Sequence, residues 1–261
     1  MSFDAIYQAA LEEDVDKLYA AMRFTSIDVW KKGRIHFSAG TQLAYKGEFS
    51  AVEFLLKHGA NIDLIAEGAA MGIHEGSDVH KDFCIVLIAR GANKSWVGRG
   101  AAIGGSFDYC RQLIDEGADK NVVAEGAALG VALGREEDFR NELIAEGVDL
   151  RRVAIGAALG ANLSKSSDYC HTLIAIEDPE IANCLAQGIG VVGNLRDVEI
   201  ILDAGANSNA LVYGAAMGGQ DEYCLELMKK GGISSSRVIE GAAMRGHVVL
   251  SEVIDVVCIS V

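Results

Sequence analysis

The chain has one proline, Pro179, no apolar run of eighteen residues, and few basic side chains, with 23 Lys and Arg against 37 Asp and Glu. Each shortage excludes something. Without a long apolar run nothing is suited to span a bilayer as a helix. The opening residues Met1, Ser2, Phe3 and Asp4 lack the basic-then-apolar pattern of a secretory signal, so a cytoplasmic protein is expected. A net charge of -14 opposes general binding to nucleic-acid phosphates or anionic lipid heads, which depends on clustered Lys and Arg. A protein partner, basic or neutral, fits better. No Ser-His-Asp pattern, phosphate-cradling glycine loop or zinc-peptidase motif is present. Cys170 and His171 are adjacent, and adjacent residues on a helix point about 100° apart, so they do not form a nucleophile and its base.

Glycine and alanine are plentiful, and they are ordered. The signature Gly-Ala-Ala-apolar-Gly recurs at Gly68 to Gly72, Gly100 to Gly104, Gly126 to Gly130, Gly156 to Gly160 and Gly214 to Gly218, with a sixth copy from Gly241 in which Arg245 replaces the second glycine. Successive starts lie 32, 26, 30, 58 and 27 residues apart. Such periods predict an all-α solenoid of about nine stacked helix-turn-helix units. In the unit Val97 to Asp119, Val97, Gly100, Ala101 and Gly104 form a helical stripe with almost no side-chain volume, across which two helices can approach closely. A second helix follows from Phe107, with Tyr109, Cys110, Leu113 and Ile114 on one face. Gly117 then suits the left-handed position after a helix. Cys84, Cys110, Cys170 and Cys224 share one repeat position, and neighbouring copies about 10 Å apart are too distant for a disulfide. They are expected to be reduced core thiols.

The paired alanines, the amphipathic second helix and the endings Gly59-Ala60-Asn61, Gly91-Ala92-Asn93, Gly147-Val148-Asp149 and Gly205-Ala206-Asn207 make the chain resemble the ankyrin-repeat family, best over Gly193 to Asn207. No unit carries Thr-Pro-Leu-His, and the short spacing from Gly117 to Ala128 predicts that the projecting β-hairpin fingers are missing from most joints. The resemblance implies a protein-binding scaffold, and likeness to ankyrin-type proteins of intracellular bacteria implies an effector delivered into a host cytosol. One array spans 1–261. Residues 4–23 read as an N-terminal cap pair and 24–37 as an irregular connector carrying Trp30, Lys31, Lys32 and Arg34. Ankyrin-like repeats fill 38–235, with an irregular joint near 177–193, and 236–261 read as a C-terminal cap pair. Asp178-Pro179 starts a turn or a new helix there. The apolar C-terminal end could meet a partner or another copy, which makes a self-assembling solenoid one alternative.

The residue before each signature glycine should recur on one surface: Glu67, Arg99, Glu125, Ile155, Tyr213 and Glu240. Its chemistry varies while its neighbours do not, as a partner-binding strip requires. Met71, Ile103, Leu129, Leu159, Met217 and Met244 flank the strip, with packing between repeats as their expected role. The polar insertion at 73–82 brings together His74, Glu75, Asp78, His80 and Asp82, but in no established zinc spacing, so neither a metal nor a cofactor is expected. The last four residues, Cys258 to Val261, match a prenylation box poorly. A non-enzymatic interaction scaffold is the leading reading. Its catalytic alternative calls for a pocket that joins titratable groups from several repeats.

Overall fold

The computed structural model describes residues 2–23, 25–34, 37–73, 78–160, 167–193, 198–230 and 232–244. Among them are seventeen helices and no strand. Helices α1 (Ser2–Leu11) and α2 (Val15–Met22) pack on each other, and α1 abuts the start of the array. Seven pairs follow: α3 (Ala39–Tyr45) with α4 (Phe49–Lys57), α5 (Ile62–Met71) with α6 (Asp78–Ala89), and α7 (Lys94–Gly104) with α8 (Phe107–Asp115). Next come α9 (Lys120–Ala132) with α10 (Asp138–Ala145), and α11 (Leu150–Gly160) with α12 (Ser167–Ile174). The last two are α13 (Pro179–Val192) with α14 (Val198–Asp203), and α15 (Ser208–Gly218) with α16 (Asp221–Lys230). Helix α17 (Ser235–Met244) closes the described part, and the rest of the expected C-terminal pair lies outside it.

The odd-numbered helices from α3 to α17 stack side by side as an inner row, and each even-numbered helix leans on its own partner as an outer row. The signature explains the tightness of the inner row. A Cβ on Gly100 would overlap the carbonyl oxygen of Glu67; the same holds for Gly126 against Arg99, Gly156 against Glu125 and Gly214 against Gln187. Glycine inside a helix costs about 1 kcal/mol relative to alanine. Here it lets neighbouring backbones touch, and burying the row of alanines offsets that cost.

The expected irregularity at 177–193 is occupied by a regular helix. Asp178 caps α13 by accepting from Glu180 N–H, Pro179 sits in the first turn, and the helix packs between α11 and α15. Gly188 faces Ala158 of the preceding inner helix, while Gly190 lies against the Leu211 carbonyl of the following one, so α13 turns one glycine to each neighbour where the signature turns two to the preceding helix.

A polar ladder joins the repeats at their turns. Asn61, Asn93, Asp119 and Asn207 each cap an inner helix through the N–H two residues on. Their own backbone N–H groups donate to the preceding unit: Asn93 to Asp63 Oδ1 (2.7 Å), Asp119 to Ser95 Oγ (2.9 Å) and Asn207 to Asn183 Oδ1 (2.6 Å). The four repeat-position cysteines are buried. Burial pushes the Cys84, Cys110 and Cys224 thiols up to about 12, so they behave as inert core groups. None of the described helices is long and apolar enough to cross a membrane.

Candidate functional site

The inner face is strongly curved. One cavity of about 200 Å³ is lined by Thr41, Met71, Ile103, Leu129, Leu159 and Val192, one residue from each of six successive inner helices. In a flat row, helices about 9 Å apart would spread those residues over roughly 45 Å. They reach one cavity because the row wraps around it.

The connector lies inside this bend. Its Ile27, Val29 and Trp30 are buried, while Lys31, Lys32 and Arg34 are exposed. Asp28 accepts from Asn61 N–H through both carboxylate oxygens at 3.0 Å, taking the place that a preceding repeat fills elsewhere on the ladder. Trp30, 6% exposed, packs on Leu159, Val191 and Met217, from α11, α13 and α15. Gly33, in the left-handed region at φ +74°, donates its N–H to the Gly218 carbonyl at 2.8 Å. A segment near the N-terminus thus reaches the seventh inner helix.

The predicted strip falls on one face, but it is not a solvated surface throughout. Glu67, Arg99 and Glu125 are only 2%, 1% and 4% exposed, which corrects the expectation of an open strip at these positions. Backbones in contact bring side chains of consecutive repeats together, and the three charges alternate. Arg99 Nη1 donates to Glu67 Oε1, and Arg99 Nε donates to Glu125 Oε1 at 3.0 Å. Arg152 extends the alternation by donating to Glu125 Oε2 at 3.2 Å. Farther along, Ile155 and Tyr213 are half-buried and Glu240 is exposed. The Arg237 guanidinium lies 4.6 Å from the centre of the Tyr213 ring and also binds Glu240.

Burial and charge pull against each other at Glu67 and Arg99. Burial lifts the Glu67 carboxyl to about 7, with Arg99 opposing only in part. Burial pulls the Arg99 guanidinium down, but Glu67 and Glu125 outweigh it and hold Arg99 above its ordinary value. The second carboxylate oxygen of Glu67, Oε2, is buried and accepts no hydrogen bond from the protein.

This is the feature that the catalytic alternative calls for: a pocket with titratable groups from several repeats. The described lining supplies the Glu67 carboxyl, the Arg34 and Arg99 guanidinium groups and the Lys32 amine, and its Thr41 hydroxyl donates to the Leu64 carbonyl at 3.1 Å. The row Met71, Ile103, Leu129 and Leu159 forms the cavity floor, so it packs against the connector as well as between repeats. Among the insertion residues, His74 and Glu75 lie outside the described residues. His80 turns to the Tyr45 carbonyl, 3.2 Å from Nε2, and against the Phe49 ring. No group of three His, Cys, Asp or Glu is placed to hold a metal among the described residues. The His171 side chain and the tail from Cys258 to Val261 also lie outside them.

Sequence reasoning missed four participants. Thr41 and Gln187 occupy the strip position, since their carbonyls meet Gly68 and Gly214 as that of Glu67 meets Gly100. Arg152 stands one turn before Ile155, and Trp30 was seen only as part of an irregular connector. A charge one helical turn from the strip could have flagged Arg152. Nothing local could have placed Trp30. No protein-family model matches the chain, and comparison with curated proteins finds no match.

Proposed function

We propose that this chain is a non-enzymatic protein-interaction scaffold of ankyrin-like descent, whose curved inner face holds a peptide segment of a partner around an aromatic anchor. One observation carries the reading. The chain's own connector already lies in that face as a twice-turned peptide, with Trp30 among Leu159, Val191 and Met217 and a backbone hydrogen bond from Gly33 to Gly218. Its exposed Lys31, Lys32 and Arg34 beside the anchor match the acidic protein that receives it. A partner segment combining an aromatic residue with flanking basic ones would make the same contacts after displacing the connector. Pre-organised repeats limit the ordering cost of such binding.

The test is a fluorescently labelled peptide with the sequence of residues 24–37, titrated into wild type and a Trp30→Ala variant. In wild type the tethered connector competes at an effective concentration on the order of millimolar. The variant, with its anchor removed, should bind the peptide at least about tenfold more tightly, and a peptide with alanine in place of Trp30 should not bind. Failure of the intact peptide to bind the variant would exclude this groove as a peptide site.

A further inference from the structure

The cavity beneath the connector is open on one side, and its wall is divided by chemistry. Met71, Ile103, Leu129, Leu159 and Val192 face it from five successive inner helices, and Leu133, 41% exposed, stands at the opening. Three polar residues of the wall, Thr41, Glu67 and Arg99, are only 1%, 2% and 1% exposed, so they offer a ligand almost no surface. The polar side chains that a ligand can reach are Lys32 and Arg34, both exposed. The connector's backbone positions them. Lys31 N–H donates to the Phe37 carbonyl at 2.8 Å, Arg34 N–H donates to the Lys31 carbonyl at 3.0 Å, and Gly33 N–H pins the turn to α15. The Arg34 guanidinium lies 5.3 Å from the centre of the Phe37 ring, which also lines the cavity. Neither Lys32 nor Arg34 forms an ion pair with a described residue. In a chain of net charge -14, two cations without counter-charge beside an apolar hollow call for an anion.

We infer that this cavity binds a free single-chain amphiphile, with an alkyl tail of roughly six to ten carbons in the hollow and a carboxylate or sulfate head on Lys32 and Arg34. Size sets the tail. Benzene occupies a space of about 150 Å³, so the volume here, about 200 Å³, holds a chain of roughly eight carbons. A two-chain membrane lipid exceeds it. Charge sets the head. A cationic head would meet Lys32 and Arg34, and a neutral one would leave them without a counter-charge. The one acid in the wall, Glu67, is shielded by burial and bonded to Arg99, so it does not repel an anion at the opening. The open side also suits an amphiphile, because its head stays in water while its tail is covered. The inference does not rest on the peptide reading, because the connector stays in place and carries the cations.

Octanoate and 1-octanol share a tail and differ in charge. Calorimetric titration of the wild-type protein, below micelle-forming concentrations, should give one saturable octanoate site and octanol binding weaker by about tenfold or more. Hexanoate should bind roughly five- to fifteenfold more weakly than octanoate, as expected for two fewer buried CH₂ groups. A variant with both Lys32→Gln and Arg34→Gln changes only exposed side chains of a turn held by its backbone. It should keep its melting temperature and bind octanoate no better than octanol. Nuclear Overhauser contacts from the octanoate chain should reach Met71 and Leu133 but not Met244, which lies outside the cavity lining. Equal affinity for octanoate and octanol would overturn the inference, as would no saturable octanoate site, unchanged octanoate affinity in the double variant or contacts centred on Met244. Sedimentation with phosphatidylglycerol vesicles in the absence of octanoate binding would also overturn it, by assigning the cations to a membrane surface. The octanoate and octanol comparison uses wild type alone, so it decides the matter even if the variant does not fold.

Discussion

The two halves of the inner face solve one packing problem in different ways. From α5 to α9 the strip position carries Glu67, Arg99 and Glu125, whose alternating charges satisfy one another in a buried row. From α11 to α15 it carries Ile155, Gln187 and Tyr213, which have no such complement, and there the array brings in a side chain from outside the repeats, Trp30. The backbone geometry is shared, since glycines meet the preceding strip carbonyl in both halves. The stack therefore fixes where the strip residues lie, and their chemistry decides whether they close on each other or on a visiting segment. The first half is held by directional charge contacts and the second by apolar ones.

The largest expected effect breaks the polar half. Arg99→Met leaves two buried carboxylates facing each other and should cost about 3–5 kcal/mol in urea unfolding. Replacing Glu67, Arg99 and Glu125 together by Leu, Met and Leu should recover most of that loss, because a fully apolar row carries no desolvation penalty. If the single and triple variants are equally unstable, the row is not held by charge complementarity.

Trp30→Ala probes the other half. Loss of a large, nearly buried aromatic should cost roughly 3 kcal/mol, the low end of the range for a core aromatic because the connector can relax. Hydrogen exchange should rise at Gly33, whose N–H bonds to Gly218, while protection in α5 and α7 is retained. Spread of the loss through α5 and α7 would show that the halves are one cooperative unit.

The pH response sharpens the contrast, because the charge row is confined to one half. The folded Glu67 carboxyl titrates near 7, above its ordinary value of 4.5, so the folded state holds its proton more tightly than the unfolded state does. That contribution is fully present below the unfolded value and is lost as pH rises through about 7. Wild type should therefore lose up to about 3 kcal/mol relative to Glu67→Gln between pH 4 and pH 8. Parallel stability profiles for the two proteins would contradict this assignment.

Much of the architecture was legible because it rests on local rules. The glycine stripe at Gly100 and Gly104, the amphipathic face of Tyr109, Cys110 and Leu113, and the left-handed Gly117 at φ +98° all follow from spacing within one unit. The continuity of α13 was hidden because Gly188 and Gly190 reach their neighbours at a different spacing. The site was less legible, since it depends on curvature. The register of the repeats reveals that Glu67 and Arg99 share a face, but not that their backbones approach closely enough to bury both. Trp30 is harder still: its partners lie more than a hundred residues away and are brought to it only by the bend of the stack.

The smallest expected effect concerns the ladder, which runs through both halves and so serves as their internal control. Asn121→Ala removes the acceptor of the Asp149 N–H bond, at 2.8 Å, in the polar half. Asn209→Ala removes that of the Ser234 N–H bond, at 2.7 Å, beyond the apolar half. Both groups sit near water, which can replace the lost partner, so each change should cost about 1 kcal/mol in urea unfolding. Equal values would mean that the joints are uniform and that the halves differ only at the strip. A markedly larger cost for Asn121→Ala would mean that the charge row also tightens the turns around it, extending the difference from side chains to the frame that carries them.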